Sequence, residues 1–328
     1  MTGDRVAAER YLVTGCEGCI GSWVVRRLLA AGESVVACDL AAAPMRISRI
    51  VPAEALDGLD YVRLDLTQAG AIDELIARQG TTRIVHLAAL QVPYVRADPL
   101  GGAEVNVVGT TRVLEAARRA ESVRGVSYAS SSAVYGADGT WGRADTLYGA
   151  FKAANEETAR FYARDYDTPT VGLRPCVVYG ANRDRGMTAA ITHAIKAAVL
   201  GLPYTVPFSG LLDLQYVDDV AAAFVAAALA EQDGAPVFDL HGDMLHVTAV
   251  LDALVAAVPA ARELVDVGSA AIPGRVDFDD SPLQQLVGEL PKTPLTTGIA
   301  ASVELFIRQR ESGTLTREAF ASDAGISP

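Results

Sequence analysis

Six short runs of the chain read as strands: RYLVTG (10–15), SVVACDL (34–40), DYVRLDL (60–66), RIVHLAA (83–89), GVSYASSS (125–132) and TVGLRPCVVYG (170–180). Their Val/Leu/Ile character fits strands covered on both faces. Between them, apolar residues recur at helical spacing in IGSWVVRRLLAAG (20–32), AIDELIARQG (71–80), NVVGTTRVLEAARRA (106–120) and YGAFKAANEETARFYARDY (148–166). Strand and helix alternating at this pace predict right-handed βαβ units on a parallel, doubly wound α/β sheet.

After Gly180 the texture changes. NRDRGMTAAITHAIKAAVLGLPYTVPFSG holds one helix and then a loop punctuated by Pro and Gly, and YVDDVAAAFVAAALA (216–230) is a helix opened by an Asp pair. The expected organisation is a large domain over 1–180, to which 211–240 returns, and a smaller substrate-binding domain from 181–210 and 241–328.

Composition narrows the class. Half of the 328 residues are hydrophobic, enough for a sizeable core. A net charge of −12 argues against a nucleic-acid or anionic-membrane surface. No apolar run approaches the roughly 20 residues of a membrane span, and four cysteines do not make a secreted disulfide framework at this length. The expectation is a cytoplasmic protein acting on a small molecule.

The first strand runs into YLVTGCEGCIGSW (11–23), where Cys16 and Cys19 sit among Gly15, Gly18 and Gly21. A Cys-x-x-Cys pair can hold a metal, but no second Cys or His pair completes a tetrahedral site, and His193, His241 and His246 lack ligand spacing. No metal is assigned. A disulfide that blocks the turn is a further possibility, because a helix N-terminus lowers a thiol pKa. The glycines explain more. Between a strand and a helix, Gly15 permits the tight turn, Gly18 lets a pyrophosphate approach the backbone, and Gly21 lets the helix pack closely. Asp39 ends the second strand, 18 residues beyond Gly21, where a carboxylate holds the adenosine ribose and repels a 2′-phosphate. The nearest basic residue, Arg46, is seven positions further on, so the expected cofactor is NAD on a Rossmann-type domain.

Tyr148 and Lys152 lie at i and i+4, adjacent on one helical face. A nearby ammonium favours the phenolate and lets a tyrosine act as a base at neutral pH. Upstream, ASSSAVYG supplies hydroxyls that can orient a substrate oxygen.

With these elements in order the chain resembles the extended short-chain dehydrogenase/reductases, the NAD-dependent epimerase/dehydratase family. The resemblance runs through TGCEGCIG (14–21), Asp39, LDL (64–66), HLAA (86–89), NVVGT (106–110), SSSAVYG (130–136), YGAFK (148–152), LRPCVVYG (173–180), YVDDV (216–220) and a closing DSPLQQLVGELPKTPLTTGI. It implies Tyr148 as general base or acid, Lys152 as its partner and holder of the nicotinamide ribose, and Ser131 as the catalytic hydroxyl. It places Cys19 and Ile20 with the glycines on the phosphates, Asp65 and Leu66 by the adenine, Leu87, Ala88 and Ala89 on the phosphate–ribose side, and Asn106 as a structural or ribose-side polar group. Gln91, Tyr94 and Arg96 after the fourth strand, Ser132, and Arg183 and Arg185 after VYG are substrate-side candidates. A homodimer through the 106–120 and 148–166 helices is also implied.

Three departures narrow the chemistry. Ser132 and Ala133 stand where dehydratases of the family carry an acid pair. Leu212 stands where nucleotide-sugar enzymes carry a diphosphate-binding arginine, and a second such arginine has only IPGRVDF (272–278) as its nearest text. The loop between Ser131 and Tyr148 is short, at 16 residues. The reading placed first is therefore an NAD-dependent dehydrogenase of a small sugar, sugar acid or polyol-like alcohol. The alternatives are an NAD-retaining sugar or nucleotide-sugar 4-epimerase and, behind it, a non-catalytic NAD-binding sensor.

Overall fold

In the computed structural model, which describes residues 9–271 and 277–325, twelve strands follow in chain order. They are β1 (Arg10–Thr14), β2 (Ser34–Asp39), β3 (Leu59–Arg63), β4 (Arg83–His86), β5 (Gly125–Ala129) and β6 (Val171–Arg174). Then come β7 (Val177–Tyr179), β8 (Tyr204–Val206), β9 (Leu211–Tyr216), β10 (Val237–Asp239), β11 (Asp243–His246) and β12 (Val265–Val267). Seven of them form one parallel sheet in the order β10-β6-β5-β4-β1-β2-β3. The chain reverses direction across the sheet between β1 and β4, so a crevice opens at the C-terminal ends of those two strands.

Helices α1 (Cys19–Ala30), α2 (Ala71–Gln79), α3 (Val92–Ala97), α4 (Pro99–Ala103), α5 (Gly109–Arg119), α6 (Leu147–Tyr166), α7 (Ala190–Leu200) and α8 (Val217–Leu229) follow the strands. The two-residue period of a strand divides the core between them. Tyr11, Val13, Val35, Ala37 and Val85 join Trp23, Val24 and Phe224 of α1 and α8 on one face. Leu12, Val36, Cys38, Ile84 and Val126 meet Ile72, Leu75 and Val113 of α2 and α5 on the other. Both faces are therefore dry, as the unbroken apolar runs require.

The expected strand over 170–180 is two strands. Pro175 has no N–H to donate, and the chain divides there: β6 stays in the large sheet, while β7 pairs with β9 in a three-stranded sheet completed by β11. Of the segment 211–240, α8 and β10 lie with the large sheet and β9 with the small one. Trp23 ties the two parts together: its Nε1 donates to the Ala181 carbonyl at 2.9 Å, and its ring meets Tyr216 edge-on at 5.7 Å. The segment after β4, read as a substrate-contacting stretch, folds into α3 and α4, which break at Asp98-Pro99. The helix expected over 106–120 begins earlier, running from α4 through a π turn at Glu104–Val108 into α5.

Candidate active site

The crevice between β1 and β4 is built from very close backbone contacts. Gly15 has φ of 68°, and a Cβ there would stand 2.5 Å from the Ala88 nitrogen. A Cβ on Gly21 would stand 2.2 Å from the Gly15 carbonyl oxygen, so α1 can sit this low against the turn only because Gly21 has no side chain. Gly18 is the N-cap of α1, and no side chain caps it. The N–H groups of the first turn, opened by Cys19 and Ile20, are thus left for an anion, and the helix dipole favours one there. The Asp39 carboxylate, at the end of β2, accepts from the Glu17 and Ala41 N–H groups at 3.0 and 3.1 Å. It therefore stands at the mouth of the same turn. This cradle fits a dinucleotide, with the pyrophosphate over α1 and a ribose diol at Asp39.

The rest of the predicted cofactor wall divides into lining and scaffold. Leu87 and Ala88 follow β4, with their N–H groups directed to Thr14, and Ala89 continues that edge. Leu66 is buried in the core, and its carbonyl accepts from Arg112. The Asp65 carboxylate accepts from the Thr67 N–H and hydroxyl, bonds that lower its pKa. Asn106 is fully buried, with its Oδ1 accepting from the Leu90 N–H at 2.7 Å and its Nδ2 donating to the Leu90 carbonyl at 2.8 Å. Both ends of that amide are engaged by the loop after β4. Arg46 does not face the ribose end: it reaches across to Asp184 and to the Asn182 and Glu17 carbonyls.

On the other side of the crevice, α6 is started by Thr146, whose Oγ1 caps the Gly149 N–H at 3.1 Å. It presents Tyr148 and Lys152 toward the end of β5. Ser131 Oγ accepts from the Ala133 N–H at 3.1 Å and faces the Tyr148 phenol. Lys152 Nζ donates to the Ala129 carbonyl at 2.6 Å and lies 5.6 Å from the centre of the Tyr148 ring. Burial pushes the Tyr148 pKa up, while Ser131 and the positive charge of Arg183 pull it down. The Lys152 ammonium lies over the ring face of Tyr148. Burial brings Lys152 itself down to about 8.

The substrate-side candidates separate. The Arg183 guanidinium donates to Thr188 Oγ1 at 3.0 Å. It also lies beside Gly186, as does Gln91 Oε1, which is buried without a partner. Gln91 and Arg183 therefore converge. The Ser132 N–H donates to the Pro175 carbonyl. Tyr94, Arg96 and Arg185 are exposed. Leu212 is buried in β9 opposite Leu245; IPGRVDF falls mostly outside the described residues. The thiols of Cys19 and Cys38 are raised by burial, to about 11 and about 12, and Cys16 is raised further. For Cys19 burial is the largest cause, with Arg183 and Arg46 pulling the other way.

Sequence reasoning missed two clusters. Glu156, four residues beyond Lys152, binds Ser130, Trp141 and Arg174. A chain of charges, buried at Asp184 and Lys196, also joins Arg46, Asp184, Lys196 and Asp323. The i+4 spacing after Lys152 was a signal for the first, whereas the second joins residues too far apart in sequence to be seen.

Residues 11–240 match the NAD dependent epimerase/dehydratase family. The UDP-glucose 4-epimerase of Mycolicibacterium smegmatis is 32% identical over 311 residues, which is 90% of this chain and 98% of that one. MoeE5, solved with UDP-glucose and NAD, superimposes with a TM-score of 0.76 at 28% identity, over 92% of this chain and 99% of that one. The Thermus thermophilus UDP-glucose 4-epimerase, solved with NAD, gives 0.73 at 28% over 90% and 98%. Glycine cradle, ribose carboxylate and Ser131–Tyr148–Lys152 set agree with that match: the chain belongs to the NAD-dependent epimerase/dehydratase family and is an NAD-dependent enzyme of the short-chain dehydrogenase type.

Proposed function

We propose that the chain is an NAD-retaining 4-epimerase of sugars carried on a nucleotide. This replaces net dehydrogenation as the first reading. The observation that carries it is the intact Ser131–Tyr148–Lys152 set in a chain whose 32% identity to a UDP-glucose 4-epimerase extends over 98% of that enzyme. NAD, when bound, supplies the hydride acceptor and donor. Gly15, Gly18 and Gly21 would hold its phosphates, and Asp39 its adenosine ribose. Ser131, fixed by the Ala133 N–H, aims its hydroxyl at the reacting oxygen, and Tyr148 takes the proton from that oxygen. In an epimerase the same Tyr148 gives the proton back before product leaves, so no net oxidation is seen. Arg183 and Gln91 supply a donor and an acceptor for the sugar. Ser132 and Ala133 provide no acid pair for elimination, which separates the chain from dehydratases.

The test is turnover of UDP-glucose followed by NMR, with absorbance at 340 nm read in parallel. Interconversion of the C4 epimers without NADH supports the proposal, whereas NADH formed in step with substrate loss makes the enzyme a dehydrogenase. A second reading rests on Leu212, which leaves no cation on β9 for a diphosphate. A substrate without a nucleotide is then expected, and a parallel screen of free aldoses and uronic acids decides between the two.

A further inference from the structure

Three consecutive residues at the end of β5 each engage α6. Ser131 faces Tyr148, the Ala129 carbonyl accepts from Lys152, and Ser130 Oγ donates to Glu156. Tyr148, Lys152 and Glu156 are spaced i, i+4 and i+8 on one helical face. The proton transfer described above uses the first two and leaves the third unexplained. Yet Glu156 is heavily bound. Besides Ser130 it accepts from Trp141 Nε1 at 2.6 Å and from Arg174 Nε and Nη2 at 2.7 and 2.6 Å, with only 4% of its side chain exposed. Arg174 is itself held by Tyr135 and by Asp239, at 2.7 and 3.4 Å. Four donors thus converge on one buried carboxylate, and charge-assisted bonds of this kind hold geometry firmly.

We infer that Glu156 is a positioning residue for the proton transfer: it anchors Ser130, and through it the strand end that carries Ser131, and it stands one turn beyond Lys152 on the same face of α6. The inference rests on Tyr148 as the proton-transfer residue, which the epimerase and dehydrogenase readings share. The charged and titratable groups around Lys152 are Tyr148 and Glu156 on α6 and His86 on β4. Arg174 acts through Glu156, and Arg183 faces Tyr148. His86 is held neutral by burial, which leaves Glu156 as the charge that opposes the desolvation of Lys152.

The chain has three lysines, Lys152, Lys196 and Lys292, so protein labelled with 13C-lysine gives three Cε signals whose titration is read directly. In Glu156→Gln the Lys152 midpoint is expected to fall by about one pH unit or more, while Lys196 and Lys292 stay in place. Turnover should fall ~10- to 100-fold, its alkaline limb should move the same way, and KM should change little. Arg174→Gln removes two of the four donors that hold Glu156 and should lower turnover in the same direction as Glu156→Gln. Glu156→Asp keeps the charge and is the variant to rely on if the others fail to fold; its midpoint should stay within about 0.3 units of the parent at reduced turnover. A Lys152 midpoint unmoved in Glu156→Gln, or one that drops in Glu156→Asp as well, overturns the inference. If the enzyme proves to be a dehydrogenase, the lysine titration is unaffected, so the two readings fail separately.

Discussion

His86 ends β4 directly behind the glycine turn, and its protonation state can be read from its neighbours. Thr110 Oγ1 donates to the Asn106 carbonyl at 2.8 Å, so toward His86 Nε2, 3.0 Å away, it can only accept. His86 Nε2 must therefore carry the proton. Nδ1, 2.7 Å from Thr14 Oγ1, then accepts from that hydroxyl, whose own oxygen faces the Leu87 and Ala88 N–H groups. Every donor and acceptor is matched with the ring neutral. A proton on Nδ1 would force the Thr14 hydroxyl to turn from donor to acceptor, and the Lys152 charge lies nearby. Burial, helped by Lys152, brings the imidazole down to about 3, against an ordinary value of about 6.5.

The sign follows by linkage. The unfolded chain binds the extra proton below pH 6.5 and the folded chain does not, so stability from this group is full above 6.5 and is lost as pH falls toward 3. The whole window corresponds to about 5 kcal/mol, and at pH 5.2, above the pI near 4.8, roughly 2 kcal/mol is already gone. Urea unfolding of the parent and of His86→Gln at pH 7.5 and 5.2 isolates the effect, because the carboxylates titrate alike in both. The stability advantage of the parent should shrink by roughly 2 kcal/mol between the two pH values. If the two proteins lose stability in parallel, the assignment of a locked neutral imidazole is wrong.

Other outcomes test the rest of the site. Tyr148→Phe should cut turnover by at least ~100-fold, measured by substrate NMR, with NAD still bound as judged by calorimetry. Gly21→Ala would place a Cβ 2.2 Å from the Gly15 carbonyl oxygen, so α1 must retreat; NAD affinity by calorimetry should fall at least ~10-fold and the Tm should drop. Asp39→Ala should weaken NAD and reduce the preference over NADP, read from the two dissociation constants. With Cys19 near 11 and Cys38 near 12, native thiols should react with a disulfide reagent at pH 7.5 more than ~100-fold slower than in urea, and rapid labelling of Cys19 would revive a redox role.

The parts of this protein legible in its sequence are those written in local grammar. The glycine turn is a strand, a tight bend and a helix start within a dozen residues, and each glycine answers a contact that a Cβ would forbid. The Tyr148–Lys152 pair is visible because helical period places i and i+4 together, and Ser131 follows from its distance to VYG. Pro175 carried the signal for the break between β6 and β7, yet the apolar run around it matches one long strand equally well. Asn106 shows a harder limit. A buried amide can face a ribose or a loop, and which it does depends on where Leu90, sixteen residues away, passes in space.

The same limit explains why Glu156 went unread. Its spacing from Lys152 is local, but an acidic residue on a long helix is ordinarily solvated, and nothing within α6 says otherwise. Its meaning comes from Arg174, Trp141 and Ser130, which reach it from β6, from the loop before α6 and from the end of β5. Three separate segments must converge before the carboxylate is buried and its charge can act on Lys152. Proton transfer needs its partners held to a fraction of an ångström, and one helix cannot hold a phenol, an ammonium and a hydroxyl on a neighbouring strand to that tolerance. The tertiary network around Glu156 is what joins them, so the residues that name the chemistry are local in sequence and the residues that hold its geometry are not.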